Sequence, residues 1–203
     1  MIEFKSFPKI PRLFRDCVIT EKLDGTNAQI YIEYSPNPGG IYAWWDDAGM
    51  FTNIYAGSRN RWITPENDNY GFASWVVSQG EQLVKLGPGH HYGEWWGSGI
   101  QRGYGLEEKK FSMFNVARWK TSCSEAGGLA ALPAVHGLGV VPVLYRGPFS
   151  EEIVHTILGE LADKGSVAAP GFKNPEGIIV FHEAAKSLFK VALEKDSMPK
   201  GAS

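Results

Sequence analysis

Between residues 28 and 34 every second position is apolar. Ala28, Ile30, Ile32 and Tyr34 alternate with Gln29, Tyr31 and Glu33. A period of two over this length predicts a strand with one buried face and one open face. A second apolar run at 17–23 precedes it, and Asp24-Gly25 supplies a turn between the two. The chain therefore builds sheet early.

Further elements follow along the 203 residues. A turn cluster, Ser35-Pro36-Asn37-Pro38-Gly39-Gly40, leads to a strand at 41–45. Residues 70–86 turn helical, with Phe72, Trp75, Val76, Gln79, Leu83 and Leu86 on one face. Strands are expected at 91–96 and 110–117, and a buried one at 137–145. Ser150 caps a helix that opens on Glu151 and Glu152 and stops at Gly165. A hairpin-like pair, 177–182 and 187–193, ends the series. Strands outnumber helices and the two are mixed. This predicts an α+β domain with twisted, largely antiparallel sheets flanked by helices. In each of the pairs Trp44-Trp45 and Trp95-Trp96, one ring is expected in the core.

Composition limits the possible functions. The chain is 43% hydrophobic and 21% charged, enough for a real core. A formal charge of -2 excludes a bulk polycation, so any nucleic-acid contact must use local clusters. Two such clusters are Lys5, Lys9, Arg12 and Arg15, and Lys109, Lys110, Arg118 and Lys120. Cys17 and Cys123 are too few for a disulfide framework or a cysteine zinc site. His90-His91 has no third ligand at a suitable spacing. No apolar run reaches the length of a membrane span, and the N-terminus has no signal-peptide pattern. A cytoplasmic protein with no membrane partner is expected.

The sharpest motif is Glu21-Lys22-Leu23-Asp24-Gly25-Thr26-Asn27. The pattern Lys-x-Asp-Gly-x-Asn would arise at on the order of 1 in 10⁵ positions by average usage. The segment resembles the nucleotidyl-acceptor motif of the covalent nucleotidyltransferases, which comprise DNA ligases, RNA ligases and mRNA capping enzymes. Glu21 and Asn27 bring it nearest to the RNA ligases. Later segments resemble the family's further motifs in their expected order. They are Ser58-Arg59, Tyr92-Gly93-Glu94-Trp95, Phe111-Ser112-Met113-Phe114-Asn115-Val116, Pro175-Glu176-Gly177 and Leu188-Phe189-Lys190-Val191. Phe7-Pro8-Lys9-Ile10-Pro11-Arg12 is also similar to this family.

The resemblance implies an ATP-dependent RNA ligase-like adenylyltransferase. Lys22 would attack the α-phosphate of ATP to give lysyl-AMP, and Lys190 would grip the phosphate. AMP would pass to a 5′-phosphate RNA end or nick, and a 3′-hydroxyl would then seal the strand. Glu21, Lys22, Asn27, Arg59, Glu94, Phe114 and Lys190 would bind the nucleotide. Glu94 would take the ribose hydroxyl, and Phe114 would stack on the base. Glu176 would hold Mg²⁺ or Mn²⁺ rather than pair with Lys22. Asp24-Gly25 would shape the loop.

These residue types suit the chemistry. An ordinary lysine is neutral in only about 1 molecule in 2500 at pH 7, a deficit of roughly 4.6 kcal/mol. Cationic neighbours and burial reduce that deficit. Phosphoryl transfer relies on positioning and cationic clamps. Each residue also fits ordinary structure: Arg59 a solvated loop pair with Arg61, Glu94 a strand edge, Phe114 core, Glu176 a turn residue, Lys190 an edge-strand lysine.

Two departures stand out. Ala192 occupies the place of a second lysine in the last motif, and Asn115 replaces a frequent aspartate. Residues 1–203 are read as one nucleotidyltransferase domain without an appended oligonucleotide-binding barrel or helical domain, ending in a tail at 198–203. An accessory domain or subunit would then supply substrate grip. The competing readings are a nucleotide- or RNA-binding module of the same fold without turnover, and a DNA ligase or guanylyltransferase.

Overall fold

The computed structural model describes residues 2–46, 49–119 and 130–194. The expected tail at 198–203, Lys120 and Cys123 lie outside these residues. The fold is α+β, with two sheets face to face and a helix on the outer side of each.

The smaller sheet holds four strands in the order β11-β10-β1-β9. These are β1 (Asp16–Lys22), β9 (Val143–Pro148), β10 (Gly177–His182) and β11 (Ser187–Ala192), all antiparallel. The larger sheet runs β3-β4-β2-β6-β7-β8. Its strands are β2 (Thr26–Ser35), β3 (Tyr42–Trp45), β4 (Phe51–Ser58), β6 (Gly89–Gly97), β7 (Lys109–Met113) and β8 (Leu138–Val140). The two-residue β5 (Trp62–Ile63) pairs with β4 off this path. Among the strands of the described residues, only β7 and β8 pair in parallel.

The period of two in β2 works as expected. Ala28, Ile30 and Ile32 are buried against helix α1 (Phe72–Leu83), together with Ile54, Phe72, Val76 and Trp95. On β1, Cys17 and Ile19 face helix α2 (Glu151–Lys164), where they meet Leu161, Ile178 and Val180. A third cluster, Val18, Leu23, Trp96, Tyr104, Val116, Val141 and Ala169, fastens the two sheets to each other. Ser150 caps α2 by accepting the Ile153 N–H at 3.1 Å.

Several expectations are corrected. The apolar run at 137–145 is two strands in different sheets, because Pro142 lacks the N–H a ladder needs. The chain crosses from one sheet to the other there. β7 stops at Met113 rather than at residue 117. Strand β4 was not expected at all. Trp95 and Trp96 are both buried, since β6 is covered on both faces at that point, whereas Trp44 and Trp45 on edge strand β3 are both exposed. Among the described residues, no helix is long and apolar enough to cross a membrane.

Candidate active site

β1 belongs to the smaller sheet and β2 to the larger, so residues 23–25 form the corner where the chain passes between sheets. The Lys-x-Asp-Gly motif occupies this corner. Gly25 is required by close approach: a Cβ there would sit 2.4 Å from the Trp95 carbonyl oxygen and 2.7 Å from the Trp96 Cβ. With no side chain in the way, the Gly25 N–H reaches Glu94 Oε1 at 3.1 Å.

A cleft of about 670 Å³ opens between the inner faces of the sheets. That volume accommodates a nucleotide-sized ligand. Alternation on β1 turns Val18, Thr20 and Lys22 into the cleft. Cross-strand pairing sets Ile179 and then Lys190 beside Thr20, as one row on the same wall. The facing wall comes from the larger sheet, with Asn27, Tyr92, Glu94 and Phe114. Asn27 and Glu94 are register partners. The Asn27 amide donates to Glu94 Oε2 at 2.9 Å.

Lys22, Asn27, Glu94, Phe114 and Lys190 thus meet at one cleft. Glu176 joins them through Lys22, with Oε1 at 2.5 Å from Nζ. No direct pair is expected on chemical grounds, because a carboxylate holds a lysine in its charged form rather than as the neutral nucleophile. The structure forms one because the two side chains are only 24% and 20% exposed, and opposite charges offset each other's desolvation. The other oxygen, Oε2, is buried and has no hydrogen-bond partner. An orphaned carboxylate oxygen beside Lys22 is a donor that a hard divalent cation takes. No group of three His, Cys, Asp or Glu side chains converges among the described residues. Mg²⁺ or Mn²⁺ held at Glu176 would therefore complete its shell with waters and ligand oxygens.

Two expected site residues do not present their charge to the cleft. The Glu21 side chain shares the α2-facing side of β1 with Cys17 and Ile19. Its carboxylate accepts Ser166 Oγ–H at 2.5 Å and the Val167 and Ala168 N–H groups at 2.9 Å each. It joins β1 to the segment after α2, so Glu21 borders the cleft while its carboxylate is engaged on the α2 side. Arg59 sits in the exposed turn from β4 to β5, which closes through Ser58 N–H to the Arg61 carbonyl at 2.8 Å. It is not among the residues that line the cleft.

Phe114 follows the end of β7 and is 43% exposed, whereas Phe111 is wholly buried. Phe114 therefore offers a ring face at the cleft. Lys190 is exposed on edge strand β11 and forms no ion pair among the described residues.

The sequence reading missed Arg102, Tyr104, Thr20 and Arg146. Arg102 Nε pairs with Asp24 Oδ2 at 2.9 Å. Its guanidinium also donates to the Asn174 carbonyl at 3.2 Å and lies 3.7 Å from Glu194 Oε2. One arginine thus ties the motif corner to the turn carrying Glu176. The Tyr104 hydroxyl accepts the Asp24 N–H at 2.8 Å. These contacts give Asp24 its place in the loop. Arg146 on β9 pairs in register with Val18 and lines the cleft, so it adds positive charge to that wall. The glycine-rich segment 97–105 carries Arg102 and Tyr104. That charge and that hydroxyl, inside a run of glycines, were the available signal.

Burial pushes the Glu94 carboxyl up to about 7, against the combined pull of Asn27, Lys22 and the Gly25 N–H. Its ordinary value is 4.5. Between these values the unfolded chain ionises Glu94 and the folded chain does not. Stability from this group is therefore full below pH 4.5 and is lost as the pH rises to about 7. Glu94→Gln removes that titration. A glutamine also keeps an acceptor for Gly25, while Asn27 can rotate its amide to receive the new N–H. Melting curves should show the variant gaining on the wild type across this window, by about 3 kcal/mol at most. Parallel pH profiles would contradict this.

The sequence profile of the RNA ligase family matches residues 15–192. Among solved structures the fold is similar to that of Naegleria gruberi RNA ligase. A mutant of that enzyme without ligand matches with a TM-score of 0.52 and 18% identity, over 88% of this chain and 49% of that one. A mutant with AMP and Mn matches at 0.53 and 18% identity, over 89% and 50%. Another with ATP and Mn matches at 0.53 and 19% identity, over 90% and 51%. At these identities the likeness is one of fold, and this chain spans about half the length of that ligase. No curated protein matches the sequence. The family profile covers most of the chain, and on that ground the chain belongs to the RNA ligase family.

Proposed function

We propose that this protein is an ATP-dependent RNA ligase whose first step is transfer of AMP from ATP to Lys22. The observation that carries the reading is the position of Lys22. Its amine sits at the inter-sheet corner, at the edge of a nucleotide-sized cleft, against a carboxylate whose second oxygen is unpartnered. The solved relatives bind ATP or AMP with Mn in the same fold, and this supports ATP and a divalent ion for this chain.

In the proposed step the Lys22 Nζ lone pair forms a bond to the α-phosphorus. The bond from that phosphorus to the pyrophosphate oxygen breaks, and the bridging electrons leave with pyrophosphate. Glu176 Oε1 lies against the protons that the nitrogen must shed. Lys190 and Arg146 supply positive charge on the same wall for the phosphate oxygens. Glu94, held by Asn27 and Gly25, accepts the ribose hydroxyl, and the exposed Phe114 ring stacks on the base. A divalent ion at Glu176 would supply charge neutralisation for the phosphates. AMP then passes to a 5′-phosphate RNA end, and a 3′-hydroxyl attacks that phosphate, breaks its bond to AMP and releases AMP as the strand is sealed.

Intact mass after incubation with ATP and Mg²⁺ tests the first step. The expected result is a gain of one AMP, with no equivalent gain from GTP. No adduct from any nucleotide, in protein shown to be free of bound AMP, would favour a binding module. Glu176→Gln keeps an acceptor for Lys22 but removes the charge. It should slow adduct formation by about 100-fold and raise the Mg²⁺ concentration for half-maximal rate. An unchanged metal dependence would remove Glu176 from the metal.

A further inference from the structure

The larger sheet has one face under α1. The opposite face carries a row of rings that the adenylation step does not use. Tyr31 and Tyr55 are register partners on β2 and β4, with centroids 5.8 Å apart. Trp62 on β5 lies 6.1 Å from Tyr31 and 5.7 Å from Tyr55. Tyr31 is 4.5 Å from His90, and His90 stacks on Tyr92 at 5.4 Å with ring planes 4° apart. His90 and Tyr92 line the cleft itself. The row therefore runs without a break from the sheet surface to the proposed nucleotide site.

We infer that this row is a stacking platform for single-stranded RNA, leading a strand end toward Lys22. Four observations favour that occupant. The ends of the row are open, with Trp62 50% exposed and Tyr92 54%, and Tyr31 and Tyr55 between them are half-buried. They are held in place, since both tyrosine hydroxyls donate to Glu33, at 3.3 Å from Tyr31 and 2.9 Å from Tyr55. Room for Trp62 is built in, because a Cβ on Gly57 would sit 3.1 Å from its ring. Phosphate charge has a counterpart in Arg59 and Arg61, in the turn immediately before Trp62. Arg59 makes no hydrogen bond or ion pair among the described residues. Fixed, partly open rings beside the Arg59 guanidinium suit two or three splayed bases and their backbone. Duplex bases are already stacked on one another and gain nothing from such a face. The purpose of the bound strand rests on the ligase reading above, whereas the binding rests on the rings alone.

Fluorescence anisotropy with a labelled RNA of about 10 nucleotides tests the platform. The variants are Trp62→Ala, the double Trp62→Ala/Tyr31→Ala, and Tyr31→Phe/Tyr55→Phe. Wild type should bind the single strand more tightly than a duplex of the same sequence. Each lost ring should weaken binding about tenfold, while adduct formation from ATP is retained. The phenylalanine pair should bind like wild type. Trp62→Ala removes an exposed ring, so it keeps the test informative if the double variant fails to fold. Equal binding by wild type and Trp62→Ala, preference for the duplex, or loss of binding in the phenylalanine pair would overturn the inference. Ring-dependent RNA binding without any AMP adduct would keep the platform and remove the ligase reading. An adduct with ring-independent RNA binding would do the reverse.

Discussion

Lys22→Ala is expected to abolish the AMP adduct while the protein still folds. Lys22 ends β1, and its register partner there is Gly177 on β10. No other amine lies at Glu176 among the described residues. Loss of the nucleophile should lower adduct formation by more than about 10⁴-fold. Lys22→Arg should fail equally. A guanidinium can keep the pair with Glu176, but it is not a nucleophile. Removing the amine leaves Glu176 without its counter-charge. Partial exposure softens that cost, so the alanine variant should lose less than about 2 kcal/mol of stability. An adduct of normal size in Lys22→Ala would move the chemistry to another residue, with Lys190 the first to try.

The second large effect falls on stability. Glu21 is 1% exposed and holds Ser166, Val167 and Ala168 by three hydrogen bonds. Glu21→Ala strands a hydroxyl and two backbone N–H groups between β1 and the end of α2. The expected loss is about 3 kcal/mol, or about 10 °C in melting temperature for a domain of this size. Glu21→Gln should lose less than about 1 kcal/mol. Its carbonyl can accept both N–H groups, and its amide can donate to Ser166 Oγ. The glutamine variant should also form the AMP adduct at near the wild-type rate, because the carboxylate faces α2. A large loss of adduct in a stable Glu21→Gln variant would return this side chain to the nucleotide.

These two neighbours show what the sequence could reveal. Glu21 and Lys22 are adjacent in one motif, and motif logic sends both to the ligand. The pleat of β1 sends them to opposite sides. The period of two in β2 and the cap at Ser150 were legible because each depends on residues close in sequence. Pro142 was visible too, but that it divides a strand between sheets depends on the facing β1, whose Glu21 N–H bonds the Pro142 carbonyl. β4 escaped notice because its polar positions, Asn53 and Thr52, are buried by contacts that no local pattern records. Asn53 bonds the Gly39 N–H and the Asn37 carbonyl. Arg102 meets Asp24 across 78 positions. Such pairings arise only from topology. The motif series identified the cleft wall better than it identified what holds the wall in place.

The most direct test of the account locates the adduct. A phosphoramide is labile in acid, so protein incubated with ATP and Mg²⁺ should be digested at neutral pH and mapped by mass spectrometry. The account predicts one AMP, on the peptide that contains Lys22. AMP on a peptide carrying Lys190 or any other lysine would contradict it.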